Sequence, residues 1–310
     1  MADSAVPPPG NFADRLIARV RELGHPLCLG LDPHLSLIPP LFRRGAMQPN
    51  DPATPPGVGD FLLAVLERYA GYVAAVKPQM AFFEQMGARG VEVLERVIAR
   101  ARSLGMIVIL DAKRGDIDST AAAYAQCLAP HSPLYSDGLT VNPYLGSDAL
   151  APFVHAAAEH GGGVFVLVKT SNPGASDLQD LDCGGCRLFE RVAQMLAPMS
   201  EELCGATGWS SLGAVVGARY PADARRIRER LPRALFLVPG FGSQGGGVRD
   251  ALAGFVAGPM GLEGGIVNSS RALLFPAGSA TDNVAAWERA IDAARDRTIE
   301  ELRSACARKG

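Results

Sequence analysis

A chain of 310 residues, 48% hydrophobic and 20% charged, has the make-up of an ordinary globular protein with length enough for a large core. A net charge of −2 gives no basic field to draw nucleic acid or an anionic membrane, so any bound anion must be held by a local site. No apolar run approaches the roughly 20 residues that span a bilayer, no signal-peptide pattern opens the chain, and six scattered cysteines make no disulfide framework, so a cytoplasmic location is expected.

In chain order, "MADSAVPPPGNFADRL" reads as a short disordered lead into a helix. Apolar, β-branched runs then recur, each ending in polar or Gly/Pro residues. They predict strands at 26–32, 73–78, 106–113, 138–143, 163–171, 212–218, 234–240 and 264–270. Helical patterns fall between most of them, at 59–72, 87–104, 118–129, 147–160, 187–205, 221–231 and 246–256. A last helix is expected over 282–307, where Val284, Trp287, Ile291, Ala294, Thr298 and Leu302 step by three and four. The strands are continuously apolar rather than alternating, as expected when both faces of a parallel sheet are buried. Eight β–α repeats predict one (β/α)8 barrel domain over residues 1–310. The surplus over a usual barrel of about 250 residues is assigned to an N-terminal arm and to insertions at about 38–58 and 172–187. A doubly wound open sheet is the alternative, weakened in its dinucleotide-binding form because no G-x-G-x-x-G turn follows the first strand. "CGGC" at 183–186 has no second ligand pair beside it, so it reads as two loop cysteines and not as a zinc site.

The C-terminal ends of barrel strands face one mouth, where active sites of this architecture lie. Here those ends carry Asp32, Lys77, Asp111 with Lys113, Asn142, Lys169 to Ser171, Pro239 and Asn268. Within "IVILDAKRGDIDST" (107–120), Asp111 and Lys113 are two apart and share a strand face. Gly115 offers a pivot, and Asp116 sits where the next helix should start and could cap its free N–H groups. Asp116 and Thr120 are four apart and share a helix face. A solvated strand end with a surface ion pair would explain this spacing taken alone; Lys77 and Asp32 at the same mouth favour a functional cluster. After the seventh strand, "VPGFGSQGGG" (238–247) supplies a run of backbone N–H donors, and after the eighth, "IVNSSRAL" (266–273) supplies Ser269, Ser270 and Arg271. Barrels often hold phosphate between these two loops, and a guanidinium suits phosphate oxygens.

These motifs resemble the orotidine 5'-monophosphate decarboxylase family. "DAKRGDIDST" matches its D-x-K-x-x-D signature with the following Thr, and "LGLDP", "AVKPQ", "KTSNPGA", "VPGFGSQGG" and "IVNSSRAL" follow the family order over nearly the whole chain, in the manner of the longer bacterial members. The resemblance implies decarboxylation of orotidine 5'-monophosphate (OMP) to UMP in pyrimidine biosynthesis, with no cofactor and no metal. It implies that Lys113 protonates a carbanion at ring carbon six, that Asp111 and Asp116 are its charged neighbours, and that Lys77 completes a Lys-Asp-Lys-Asp network. Asp32 would bind ribose hydroxyls, Ser171 the pyrimidine, and Gln244 and Arg271 the 5'-phosphate, with Pro239 beside the substrate. A homodimer is implied, in which Asp116 and Thr120 serve the neighbouring subunit's site. The eighth-strand motif departs from shorter members, reading "NSSR" where they place Gly directly before Arg. Three rivals are weighed. A metal-dependent sugar-phosphate lyase of the same suprafamily would carry a metal-binding Glu at the second strand end; this chain has Lys77, whose charge opposes a metal. A Schiff-base aldolase needs a neutral amine, which the acids beside Lys113 disfavour. A phosphometabolite-binding protein would not need the acid–lysine cluster.

Overall fold

The computed structural model describes residues 10–241 and 247–307. Eight parallel strands form the barrel: β1 (Leu27–Leu31), β2 (Ala75–Pro78), β3 (Ile109–Arg114), β4 (Gly138–Val141), β5 (Gly163–Lys169), β6 (Ser210–Val216), β7 (Ala234–Val238) and β8 (Gly265–Ser269). Their order around the sheet is β2-β1-β8-β7-β6-β5-β4-β3, and the seam between β2 and β3 is closed by bridges at Val76–Val108 and Gln79–Asp111. Every residue of β1, β2, β4, β6, β7 and β8 is buried, which is why these segments read as unbroken apolar runs. The predicted (β/α)8 barrel is thus the observed fold.

The connecting helices are α2 (Thr54–Tyr69), α3 (Ala88–Ser103), α4 (Asp118–Ala125), α5 (Ser147–His160), α6 (Leu188–Glu202), α7 (Pro221–Arg230), the single turn α8 (Val248–Ala251) and α9 (Val284–Ala307); α1 (Phe12–Leu23) precedes them all. No described helix is long and apolar enough to cross a membrane.

α1 determines which end of the barrel is open. Asn11 caps it by accepting a bond from the N–H of Asp14, and Gly24 ends it in the left-handed region. Its stripe of Phe12, Ala13, Leu16, Ile17 and Val20 is buried with the lumen residues Cys28, Ile109, Phe165, Leu235 and Ile266. Phe12 meets the Phe165 ring edge-on at 5.8 Å, and a side chain at Gly163 would lie 2.3 Å from the Phe12 ring, so only glycine leaves room for this stopper. Burying each large apolar side chain of the stripe contributes about 1.5–3 kcal/mol. The floor is closed by apolar packing, and polar chemistry is left to the opposite end.

Two expectations are corrected, and the reading of "CGGC" as two loop cysteines holds. The helix expected over 59–72 starts earlier, inside the 38–58 insertion: α2 begins at Thr54, with proline in its first turn, where the missing N–H costs nothing. The helix expected over 246–256 lasts only from Val248 to Ala251 and gives way to a hairpin pairing Val256–Gly258 with Gly261–Glu263. The "CGGC" segment turns a tight hairpin with both glycines at positive φ, while Asp182 bridges Arg187 and both cysteines are free. The lead predicted for the first residues lies, up to residue 9, outside the described residues.

Candidate active site

At the C-terminal end of the barrel lies a cavity of about 440 Å³, lined among others by Asp32, Lys77, Asp111, Lys113, Ser171 and Pro239. Its volume is in the range of small-molecule sites. A larger and mainly apolar groove of about 700 Å³ runs past Tyr144, Leu178, Phe189 and Met195 and shares Leu167 and Thr170 with the mouth cavity.

Asp111 is the hub of the cavity. Its Oδ2 accepts bonds from Lys77 Nζ at 2.6 Å and Gln79 Nε2 at 3.0 Å, and its Oδ1 from Lys113 Nζ at 2.6 Å and Thr140 Oγ1 at 2.8 Å. Four donors on one carboxylate fix its rotamer. Burial disfavours its charge, yet the Lys77 and Lys113 ammoniums outweigh that and hold the carboxyl well below the usual carboxylate range. Burial likewise works against the Lys77 ammonium, but Asp111 and then Asp32 push its pKa above the ordinary lysine value. The cluster is therefore an alternating array of fixed charges, with Lys113 at its open side, 45% exposed.

Strand β3 delivers Lys113 on a bulge, and the ladder resumes at Arg114 opposite Val141. Register slips between Leu110 and Arg114, and Lys113 itself has φ +48°, a left-handed conformation rare for a side chain of this size. Its N–H donates to Thr140 Oγ1 at 2.9 Å, so one threonine ties both the backbone of Lys113 and the carboxylate of Asp111. The sharp change of direction thus falls on Lys113, not on Gly115 as expected. Gly115 is absent from the positive-φ positions, and what it provides is close approach, with a Cβ there 3.3 Å from Asn142.

The structure separates the remaining candidates. Asp32, Ser171 and Pro239 line the cavity with the hub. Asp116 and Thr120 do not: helix α4 begins at Asp118, the Asp116 carboxylate accepts, among the described residues, only from the neighbouring Ile117 N–H, and Thr120 is exposed. Asp116 is therefore not the helix cap that its position suggested. Arg271 is exposed in the first turn of a short helix (Arg271–Leu274) and does not line the cavity; burial and then the Arg271 charge hold the nearby His34 imidazole below its ordinary value. Gln244 lies outside the described residues, as do residues 242–246 of the glycine loop expected to hold phosphate. Asn142 faces the larger groove.

Lys169 also leaves the mouth. It is fully buried, 2.5 Å from Asp180 and 3.6 Å from Asp223, with its ammonium over the rings of Tyr220 and Phe189. Next to Asp180, Gln179 accepts from the Thr170 N–H and donates to its hydroxyl. Lys169 thus anchors the 172–187 insertion behind the segment that brings Ser171 to the cavity. Sequence reasoning passed over Gln79 and Thr140. Gln79 lies two residues beyond Lys77, and Thr140 is the polar residue of an otherwise apolar strand; that periodicity could have flagged both.

The family model described as orotidine 5'-phosphate decarboxylase / HUMPS matches residues 25–288. Among curated proteins, orotidine 5'-phosphate decarboxylase of Rhodopirellula baltica is 40% identical over 302 residues, covering 94% of this chain and 99% of that one. The enzyme of the same name from Deinococcus radiodurans is 44% identical over 269 residues, covering 86% and 90%. Among solved structures, Leishmania donovani OMP decarboxylase superposes with a TM-score of 0.74 at 34% identity, covering 95% of this chain and 98% of that one.

Proposed function

The chain belongs to the orotidine 5'-phosphate decarboxylase / HUMPS family, and we propose that it is a carboxy-lyase converting OMP to UMP and carbon dioxide without a cofactor. The observation that carries this reading is the Asp111 carboxylate held between the Lys77 and Lys113 ammoniums in the mouth cavity.

When the bond from ring carbon six to the carboxylate breaks, its electron pair stays on that carbon, with no adjacent carbonyl to take it up. A positive charge fixed beside the carbon stabilises that pair, and an ammonium can then give it a proton. Lys113 fills both roles, being the member of the array that opens to the cavity. Asp111 keeps Lys113 in place, and Lys77 balances Asp111 from the buried side. Asp32 takes ribose hydroxyls, Ser171 the pyrimidine, with Pro239 alongside, and Arg271 with Gln244 the 5'-phosphate; remote phosphate binding lowers the barrier by positioning the ring.

The active form is read as a homodimer in which Asp116 and Thr120 complete the neighbouring site. Both lie off their own cavity, on a segment whose apolar side chains Ile117 and Tyr124 are exposed. A cytoplasmic location fits six cysteines that are all free thiols. The sugar-phosphate lyase reading is disfavoured by Lys77, whose ammonium occupies the second strand end 2.6 Å from Asp111.

The test follows loss of pyrimidine absorbance from OMP with and without a metal chelator. Turnover indifferent to chelator is expected; turnover abolished by chelator, or none at all, would overturn the reading.

A further inference from the structure

Beside the charged array, three buried oxygens have no hydrogen-bond partner among the described residues: Oδ1 of Asp32, Oδ1 of Asn268 and Oγ of Ser270. All three side chains line the mouth cavity, and Asn268 is only 7% exposed. They come from neighbouring strand ends, since β1 pairs with β8 with Cys28 opposite Asn268 and Leu29 opposite Ser269. Gly30 lets them converge. A Cβ there would lie 2.8 Å from Ser270 Cβ and 3.0 and 3.1 Å from the Asn268 amide atoms, so both side chains lean over bare backbone toward the strand that ends in Asp32.

Buried polar groups in folded proteins are nearly always paired, and an unmade bond is costly. Three such oxygens opening on one cavity therefore mark where a ligand completes the bonding. The donor balance identifies the ligand group. A carboxylate only accepts, whereas a carboxamide and a hydroxyl both donate and accept. Phosphate brings acceptors and negative charge and would be repelled by Asp32. Sugar hydroxyls suit all three, each donating to one oxygen while accepting from a neighbouring N–H or O–H.

Resting on the reading that the ligand is OMP or UMP, we propose that Asn268 and Ser270 join Asp32 in gripping the ribose and set the preference for ribonucleotides over deoxyribonucleotides. One ribose hydroxyl donates to Asp32 Oδ1 and the other to Asn268 Oδ1, while the Ser270 hydroxyl donates to the same diol from the β8 side.

Calorimetric titration of the full-length protein with UMP, 2'-deoxy-UMP and 3'-deoxy-UMP tests this. The native protein should bind UMP at least about tenfold more tightly than one of the deoxy forms, as a site built around a hydroxyl rejects the analogue without it. Asn268→Ala should weaken UMP several-fold and leave that deoxy form unchanged, so the ratio moves toward one. Ser270→Ala, which removes a single oxygen, should do the same to a smaller degree and serves if the asparagine variant does not fold. A native protein that discriminates, with variants that discriminate equally, overturns this inference alone. A native protein that binds no UMP overturns the nucleotide reading and this inference with it.

Discussion

Lys77 and Asp111 meet across the β2–β3 seam at 2.6 Å, each less than a tenth exposed. The bond joins the two strands where the barrel closes, so it acts on stability as well as on chemistry. Removing one partner of a buried pair strands the other charge and typically costs about 3–5 kcal/mol. Asp111→Asn and Lys77→Met should each lower unfolding free energy by roughly that amount. The double variant should be less destabilised than the sum, by about 0.5–3 kcal/mol, because the two residues share one interaction. Urea unfolding of the four proteins checks this; strict additivity would mean the pair is uncoupled.

Lys113 separates activity from stability. It is 45% exposed, so Lys113→Ala should leave the fold intact while lowering turnover by about 10²–10⁴-fold, the usual worth of a positioned proton donor. Its φ of +48° adds a second expectation. Glycine adopts that region without strain, so Lys113→Gly should be about 1 kcal/mol more stable than Lys113→Ala, although both are inactive. Equal stability would show that the backbone relaxes once the side chain is gone.

His25 should set the upper part of the acid-stability profile. Burial, and then the nearby Arg303 and Arg19 charges, push its pKa down to about 4 from an ordinary 6.5. Its Nδ1 accepts from the Leu27 N–H, which a protonated ring cannot do. A group depressed in the folded state contributes stability that is present above its unfolded pKa and lost as pH falls toward the folded one. Melting temperature should therefore fall as pH drops from about 6.5 to 4, and His25→Asn, whose carboxamide oxygen can take the same N–H, should flatten that slope. An unchanged slope in the variant would place the titration elsewhere.

The Lys169–Asp180 contact predicts how the 172–187 insertion is held. Arg187 also reaches Asp180, at 3.3 Å, and is half exposed. Asp180→Asn weakens both attachments while Asp223 remains to face Lys169. Trypsin cleavage after Arg187 should accelerate several-fold with little change in global stability, the signature of local opening. Faster cleavage everywhere along the chain would instead mean that the barrel itself has loosened.

What could be read in advance follows a simple physical line. The strands were visible because burial on both faces leaves only apolar residues, and Asp111 with Lys113 because charges interrupt an apolar run at a strand end, although a register slip and not regular alternation brings the two together. Lys169 was misplaced because the register slips between Leu167 and Lys169, so counting by twos sends its side chain to the wrong face. The left-handed turn at Lys113 left no trace, since lysine carries none of the usual marks of positive φ. The short α8 was hidden by the apolar residues just after it, Leu252, Phe255 and Val256, which continue a helix-like run. Asn268 and Ser270 could be seen as polar residues at a strand end, but their lack of partners is a property of the packed molecule alone.

The position of Asp116 yields the last prediction. Its carboxylate is turned to Ile117 and lies off its own cavity, and the homodimer reading assigns it to the neighbouring subunit's site. Lys113→Ala and Asp116→Asn should each be inactive as pure proteins. Mixed in equal amounts and allowed to exchange subunits, they should form hybrids in which one site draws Lys113 from the Asp116→Asn chain and Asp116 from the Lys113→Ala chain. Random pairing in a two-fold dimer makes half the dimers hybrid with one intact site each, so activity should return to about a quarter of native. If Asp116 served its own chain, every site in every dimer would lack a residue and mixing would restore nothing.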